Sequence, residues 1–545
     1  MTIAMGNSGM KHFLTILSLC LLTACGGGSS SSPREPVTNP PPPPPPSNEW
    51  QVGVFPDADQ FAAQCVSPRN GVDINGNPWP DVAGSETDEK MWLRSWSHDT
   101  YLWYDEIDDV DPAGFASPQA YFDVLKTTQT TASGVPKDNF HFYQPTDEYQ
   151  SFSQSGAETG YGAEWAFLRA SPPRDLRVST VQPGSSAALA GVQRGDRLID
   201  IDGVDVINGS NVDFLNDAIF PSDAGQRYQF TFQRVDGSEL VAELTSQTVV
   251  KSFVNNVQVL DTQVGRVGYL RFDGFQRPAQ GPLISAFQSF VDQNVTSLVL
   301  DLRYNGGGVL AMSSQLGYMI AGPSQTAGRT FELLKFNDKY PNTDPVTGRS
   351  ISPTPFYSQE IDWQRGVLTD QQLPSLGLTQ VTVIVTEDSC SASEALINAL
   401  RGIDVEVIQI GGRTCGKPYG FYPTDNCGTT YFTIQFQGVN DKGFGAYADG
   451  FKPVSAPQFN DELPGCVVED DFSSALGSVE EGMLETALHR LTTGSCPTQS
   501  VELIQAKPDS KRRPSPLDVM DPRYRSMLLE NKLYTPLDIN HGVMQ

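Results

Sequence analysis

One stretch, Val381 to Phe421, constrains this chain more than any other. Val381-Thr-Val-Ile-Val-Thr386 is a short β-branched run that reads as a buried strand. Ser391-Ala-Ser-Glu394 then opens an apolar segment with Ala395, Leu396, Ala399 and Leu400 at helical spacing. Ser391 and Glu394 stand three apart, as in a capping box. A serine at such a junction is expected to hold its hydroxyl at the surface, beside the outward N–H groups of the helix start. A second β run, Val405–Ile410, follows. It leads into a loop where Gly411, Gly412, Gly416 and Gly420 surround Lys417, 26 residues after Ser391. A strand returning parallel to the first brings this loop to the same sheet edge as the serine. A lysine buried there loses solvation of its charged form, which suits it to act as a general base.

Ser-Ala-Ser-Glu followed by Gly-Lys about 25 residues later resembles the S41 serine peptidases, the C-terminal processing proteases. Leu300-Asp-Leu-Arg-Tyr-Asn-Gly-Gly-Gly308 is similar to that family's Asp-Leu-Arg-x-Asn-x-Gly-Gly segment, and Gly450-Phe-Lys-Pro453 to its closing Gly-Ile-x-Pro. Trp92 to Tyr104 resembles the helical front part of some members. The likeness spans roughly residues 60 to 490. It implies Ser391 as nucleophile, Lys417 as base, and an oxyanion site from the N–H of Ala392 with Gly308 or, next, Gly307. Ser389 and Ser393 are rivals by proximity only. His98 and His141 are the histidines open to a Ser–His alternative. Two departures stand out. The serine-to-lysine spacing is one residue longer than the family's, and Phe421 occupies the place of a glutamine that helps position the lysine. Tyr419, Tyr422 and Gln435 are candidate substitutes. Asp301 and Arg303 read as structural.

The implied fold class is multi-domain α+β and α/β. A helical N-terminal domain precedes a PDZ-like β domain and an α/β, ClpP/crotonase-like S41 catalytic core. Residues 1–25 read as a lipoprotein signal peptide, with a basic start, a short apolar core and a lipobox-like Leu22-Thr-Ala-Cys25. Cys25 is the lipidation site in that reading. Residues 26–48 form a Gly/Ser/Pro linker, with seven prolines at Pro40–Pro46. No other segment is long and apolar enough to span a membrane. Residues 49–150 are aromatic-rich. Trp92, Trp96 and Trp103 are placed on one face of a helix from about Glu86, and Ser117-Pro118 starts a second helix running to Leu125.

Residues 157–250 read as the PDZ-like domain. Gly160, Tyr161, Gly162 and Ala163 form its candidate loop for a peptide carboxylate, and Ser179–Gly203 closely resembles the PDZ segment of these proteases. Residues 257–490 alternate strands and helices as a catalytic α/β domain. Residues 497–545 are a tail expected to pack loosely.

A formal charge of −27 over 545 residues argues against nucleic acid as a partner. Six cysteines follow the leader: Cys65, Cys390, Cys415, Cys427, Cys466 and Cys496. An even count outside the cytoplasm points to disulfides, of 15 possible connectivities. One bridge among Cys390, Cys415 and Cys427 would fix the lysine loop against the serine. No pair has zinc-ligand spacing, and no metal or organic cofactor is implied.

The sequence therefore reads as a serine endopeptidase of exported proteins, with cleavage near C-termini as the narrower version. It would be lipid-anchored in a bacterial envelope, facing the periplasm or cell exterior, with protein or peptide tails as partners at the PDZ-like domain. A catalytically weak or inactive PDZ-bearing scaffold is the second reading. A carbohydrate- or lipid-binding lipoprotein using the tryptophan-rich front is the third.

Overall fold

The computed structural model describes residues 49–131, 133–498 and 532–533. The leader, Cys25, the linker to residue 48 and nearly all of the tail lie outside them. Among the described residues, no helix is long and apolar enough to cross a membrane.

The catalytic part is built on a seven-stranded sheet in the order Val254–Thr262, Gly265–Phe272, Ser297–Asp301, Gln380–Val385, Glu406–Gly411, Glu462–Val467 and Lys452–Val454. The first pair is antiparallel and the remaining neighbours are parallel. Parallel strands are buried on both faces, which explains the unbroken β-branched run at Val381–Val385. The helices Gln280–Asp292, Leu310–Ala321 and Ala392–Gly402 contribute to the apolar cluster on one face. The helix Gly482–Thr493 packs on Ile384, Ile408 and Ile410 on the other.

The PDZ-like part is an antiparallel sheet, Glu239–Thr245, Arg227–Gln233, Arg197–Ile201, Asp175–Val181 and Ala163–Arg169, with the helix Val212–Ile219 against it. Among the described residues Ala163–Arg169 is the edge strand of this sheet. Arg194 ties this part to the catalytic sheet. It donates to the Tyr304 hydroxyl at 2.6 Å and to Asp470 at 2.7 Å, and its guanidinium lies over the Phe472 ring.

The N-terminal part carries the helix Glu86–Thr100, opened by a capping box between Ser85 and Asp88. Trp92 and Trp96 are buried and stacked, with centroids 5.0 Å apart, beside Tyr431 of the catalytic part. They are core, not an exposed platform. Trp103 does not share their helix. The helix stops at Thr100 because the buried Tyr101 turns extended and sends its hydroxyl to Asp138 at 2.7 Å. Trp103 instead meets Tyr419 edge-on at 4.8 Å. The second helix ends at Phe122, short of Leu125. This part is also sewn to the catalytic one. Phe142–Pro145 pairs with Thr429–Phe432, and Cys65 is bonded to Cys427. At the far end of the chain, Lys532–Leu533 runs parallel to Gly308–Val309.

Asp301 and Arg303 belong to the frame. Arg303 is fully buried and bonds Asp301, Asp470 and Glu481, the last of which caps the helix Gly482–Thr493. Removing the cation leaves buried carboxylates uncompensated, which costs about 3–5 kcal/mol. Arg303→Ala should lower unfolding stability by that amount in urea titrations, whereas Arg266→Ala, on the exposed surface, should change it by less than about 1 kcal/mol.

Candidate active site

The strand Gln380–Val385 leads into a tight bend at Ser389–Ser391, and the helix begins at Ala392. The next strand returns in register, Gln380 beside Glu406 through Val385 beside Gly411. It begins and ends one residue later than the β run suggests. The loop from Gly412 to Pro418 therefore arrives over the helix start. Ser391 and Lys417 are both fully buried, so the serine hydroxyl does not lie at the surface as the junction suggests. Ser391 has φ 56° and ψ −103°, a conformation that L-residues with a Cβ rarely adopt. No residue pattern in the sequence announces that bend.

The buried carboxylate of Glu394 joins the two loops. Its Oε2 accepts the main-chain N–H of Ser391 at 3.0 Å and that of Lys417 at 2.8 Å. Its Oε1 accepts the Thr414 hydroxyl at 2.5 Å and the Gly416 N–H at 2.9 Å. The cap residue read from Ser-x-x-Glu is thus also the link to the base loop. Burial pushes the Glu394 carboxyl above its ordinary range, and these hydrogen bonds oppose that rise. The block at Gly450–Pro453 braces the same loop. Phe451 exchanges main-chain and hydroxyl hydrogen bonds with Thr414. A Cβ on Gly416 would sit 2.3 Å from the Ala448 carbonyl, so only glycine fits there.

The ammonium of Lys417 lies 4.1 Å from the centroid of Phe421 and 5.0 Å from that of Phe140. Phe421, standing where a glutamine is expected, therefore meets the lysine itself. Phe140 comes from the N-terminal part, and no spacing in the sequence points to it. The three candidate substitutes have other duties. Tyr419 packs on Trp103, Tyr422 donates its hydroxyl to Asp344, and the Gln435 oxygen accepts the Tyr422 N–H at 2.7 Å.

Gly306–Gly308 lie buried beside this cluster. Gly307 donates to the Asn305 side chain at 2.8 Å, and the Asn305 carbonyl accepts from Cys390 N–H at 3.1 Å and from the Ser393 hydroxyl at 3.0 Å. Gly308 has φ +127°, and a Cβ there would lie 2.5 Å from the Phe275 carbonyl oxygen. Ala392 is the first residue of its helix, where N–H groups have no partner within the helix. The rival hydroxyls are committed, Ser389 to the Leu302 carbonyl and Ser393 to Asn305.

His141 is also committed. Its Nε2 faces the Phe122 carbonyl at 2.7 Å, which makes it the protonated nitrogen, and Nδ1 faces the Thr433 hydroxyl at 3.1 Å. His98 stacks on Phe55 at 3.5 Å. Burial lowers both imidazoles to about 4.

The six cysteines of the described residues form three bridges, Cys65–Cys427, Cys390–Cys415 and Cys466–Cys496. Cys427 is therefore not part of the link between the serine and lysine loops. Cys390, Glu394 and Cys415 cluster at metal-site range. Both sulfurs are spent on each other and the carboxylate on hydrogen bonds.

In the PDZ-like part, Gly160, Tyr161, Gly162 and Ala163 are buried. The carbonyls of Tyr161 and Gly162 accept from Ala187 and Gln182, and the Tyr161 hydroxyl donates to Ala218. Ala163 starts the edge strand. A cleft lined by Glu164 and Trp165 of that strand also reaches Gly306 and Gly307.

Residues 266–420 match Peptidase family S41, residues 177–217 a PDZ domain, and residues 88–149 the Peptidase S41 N-terminal domain. The chain is 23% identical to carboxyl-terminal-processing peptidase 1, chloroplastic, of Arabidopsis thaliana, over 68% of each chain. It is 30% identical to a carboxyl-terminal-processing protease of Picosynechococcus, over 50% of this chain and 58% of that one. A crystal structure from Bacteroides fragilis, described as an S41 protease, has the same fold. Its TM-score is 0.55 at 22% identity, covering 76% of this chain and 99% of that one.

Two measurements test this geometry. Glycine relieves a positive φ, so Ser391→Gly should be more stable than Ser391→Ala, by up to about 1 kcal/mol in urea unfolding. The second concerns pH. His141 titrates near 6.5 when unfolded and near 4 when folded, so the unfolded state binds more protons between those values. Stability should fall by about 2 kcal/mol from pH 7 to pH 5 on this account, and His141→Gln should flatten that part of the slope.

Proposed function

We propose that the chain is a serine-type peptidase of family S41, whose model matches residues 266–420, and that its chemistry runs on a Ser391–Lys417 dyad. The observation that carries this is the shared Glu394 oxygen, which takes the main-chain N–H of both residues. The two nitrogens are thus no farther apart than the two bonds together.

The Ser391 hydroxyl attacks the peptide carbonyl carbon while the neutral Lys417 amine takes its proton. The N–H groups of Gly308 and Ala392 hold the oxyanion. Collapse expels the amine, which takes the proton back from Lys417. Water then attacks the acyl-enzyme with Lys417 again as base, releasing the acid and restoring the serine. Full burial disfavours the charged amine, and the two phenyl faces partly offset that.

In this reading protein or peptide substrates lie in the cleft that joins the PDZ edge strand to Gly306 and Gly307 of the glycine run. The names of the relatives support processing at C-terminal ends, and strand addition to Ala163–Arg169 suits such a tail. The lipobox-like Leu22–Cys25 supports a lipid anchor at the outer side of a membrane. Cys25→Ser should then move the protein from the membrane to the soluble fraction.

The full-length protein incubated with an unfolded protein substrate decides the dyad. Ser391→Ala and Lys417→Ala should each lower kcat by at least about a thousandfold while each variant still unfolds in one cooperative transition. A serine-reactive fluorophosphonate should label the parent and not Ser391→Ala. Near-parental cleavage by Lys417→Ala would assign the base to another residue. A folded parent that neither cleaves nor labels would leave the PDZ-bearing scaffold.

A further inference from the structure

We infer that the Cys390–Cys415 disulfide is a positioning bond for the dyad, and that full peptidase activity requires it. The inference rests on the assignment of Ser391 and Lys417 above. Cys390 is the residue before the nucleophile, and Cys415 lies two residues before the base. Their Cα atoms are 5.2 Å apart, and a main-chain hydrogen bond from Cys415 to the Ser389 carbonyl, 3.1 Å long, runs beside the bridge. The bond therefore joins the nucleophile bend to the base loop directly, bypassing the helix and strand that separate them in sequence.

Both sides of the bridge need such a restraint. On one side, Ser391 sits in a sparsely populated backbone conformation, which persists only where its surroundings over-determine it. The Cys390 N–H is held by the Asn305 carbonyl, in the loop that carries Gly307 and Gly308. On the other side, the base loop lies between the strands Glu406–Gly411 and Tyr419–Gly420 with no ladder of its own. It contains Gly412 and Gly416, so its backbone is intrinsically free. A shift of about 1 Å in a reacting group can cost on the order of a hundredfold in rate.

The other two bridges flank neither residue. Cys65–Cys427 fastens the N-terminal part to the Thr424–Phe432 hairpin, and Cys466–Cys496 fastens the strand Glu462–Val467 to the end of the helix Gly482–Thr493. Among the three bridges the dependence thus falls on this one, and it makes the mature enzyme an enzyme of oxidising surroundings. A dithiol reverses it by exchange. One thiolate attacks a bridge sulfur to give a mixed disulfide, and the second thiol closes the reagent's ring. The two electrons and two protons pass to Cys390 and Cys415 as thiols.

The test uses the full-length protein with dithiothreitol as the reductant. The double variant Cys390→Ser/Cys415→Ser should lose about ten- to a hundredfold in kcat with KM within about twofold, shift the pH profile of kcat, and react more slowly with fluorophosphonate. Cys65→Ser/Cys427→Ser should keep kcat within about twofold of the parent. In the parent, dithiothreitol should lower kcat in step with the appearance of alkylatable thiols at Cys390 and Cys415. Reoxidation should restore it. This titration needs no variant, so it stands even where the double variant fails to fold. Parental kcat and pH profile in the folded double variant, or kcat unchanged when both thiols are free, would overturn the inference. If Ser391→Ala or Lys417→Ala retains activity, the dyad assignment itself fails. If both are inactive while the cysteine variant matches the parent, only the role of the bond fails.

Discussion

Everything at this site depends on one buried carboxylate. Glu394 accepts from Ser391 and Lys417 on one oxygen and from Thr414 and Gly416 on the other. Four donors compensate a charge that burial alone would make costly. None of these donors could leave without exposing the cost of the others, so the nucleophile bend and the base loop are held as one unit. Phe451 adds the closing block to it through Thr414, and Asn305 adds the glycine run through Cys390 and Ser393. Segments that are remote along the chain are held together here because the carboxylate takes four partners and the Asn305 carbonyl and the Thr414 hydroxyl two each.

The sheet makes that convergence possible. Neighbouring parallel strands deliver their following loops to the same edge. Ser297–Asp301, Gln380–Val385 and Glu406–Gly411 are adjacent in the sheet, and they lead into the glycine run, the serine and the lysine in turn. Arg303 locks this edge from below by gathering Asp301, Asp470 and Glu481. Arg194 brings the PDZ-like part onto the same Asp470 and onto Tyr304, three residues before Gly307.

Much of this was legible from residue order. β-branched runs alternating with helical segments announce the parallel sheet, and the four motifs name the loops that meet at its edge. What the sequence hides is of a different kind. The backbone of Ser391 is set by its surroundings, not by its own preference, since serine does not favour φ 56°. Phe140 reaches Lys417 from more than two hundred residues away, through a segment fixed by the Tyr101–Asp138 hydrogen bond and by the Asp138 side chain accepting the Phe140 N–H. The bridges depend on which Cα atoms come close, and spacing alone leaves their connectivity open. Trp103 belongs to the helical pattern by periodicity, but a buried tyrosine with a partner for its hydroxyl ends the helix first.

Phe421 shows how these pieces compensate for one another. An amide at that position could orient the lysine amine by a directional hydrogen bond. A phenyl face attracts the cation without fixing its direction. The main chain that carries the lysine is itself firmly held. In this chain that segment is held at three successive residues, by the bridge at Cys415 and by Glu394 at Gly416 and Lys417.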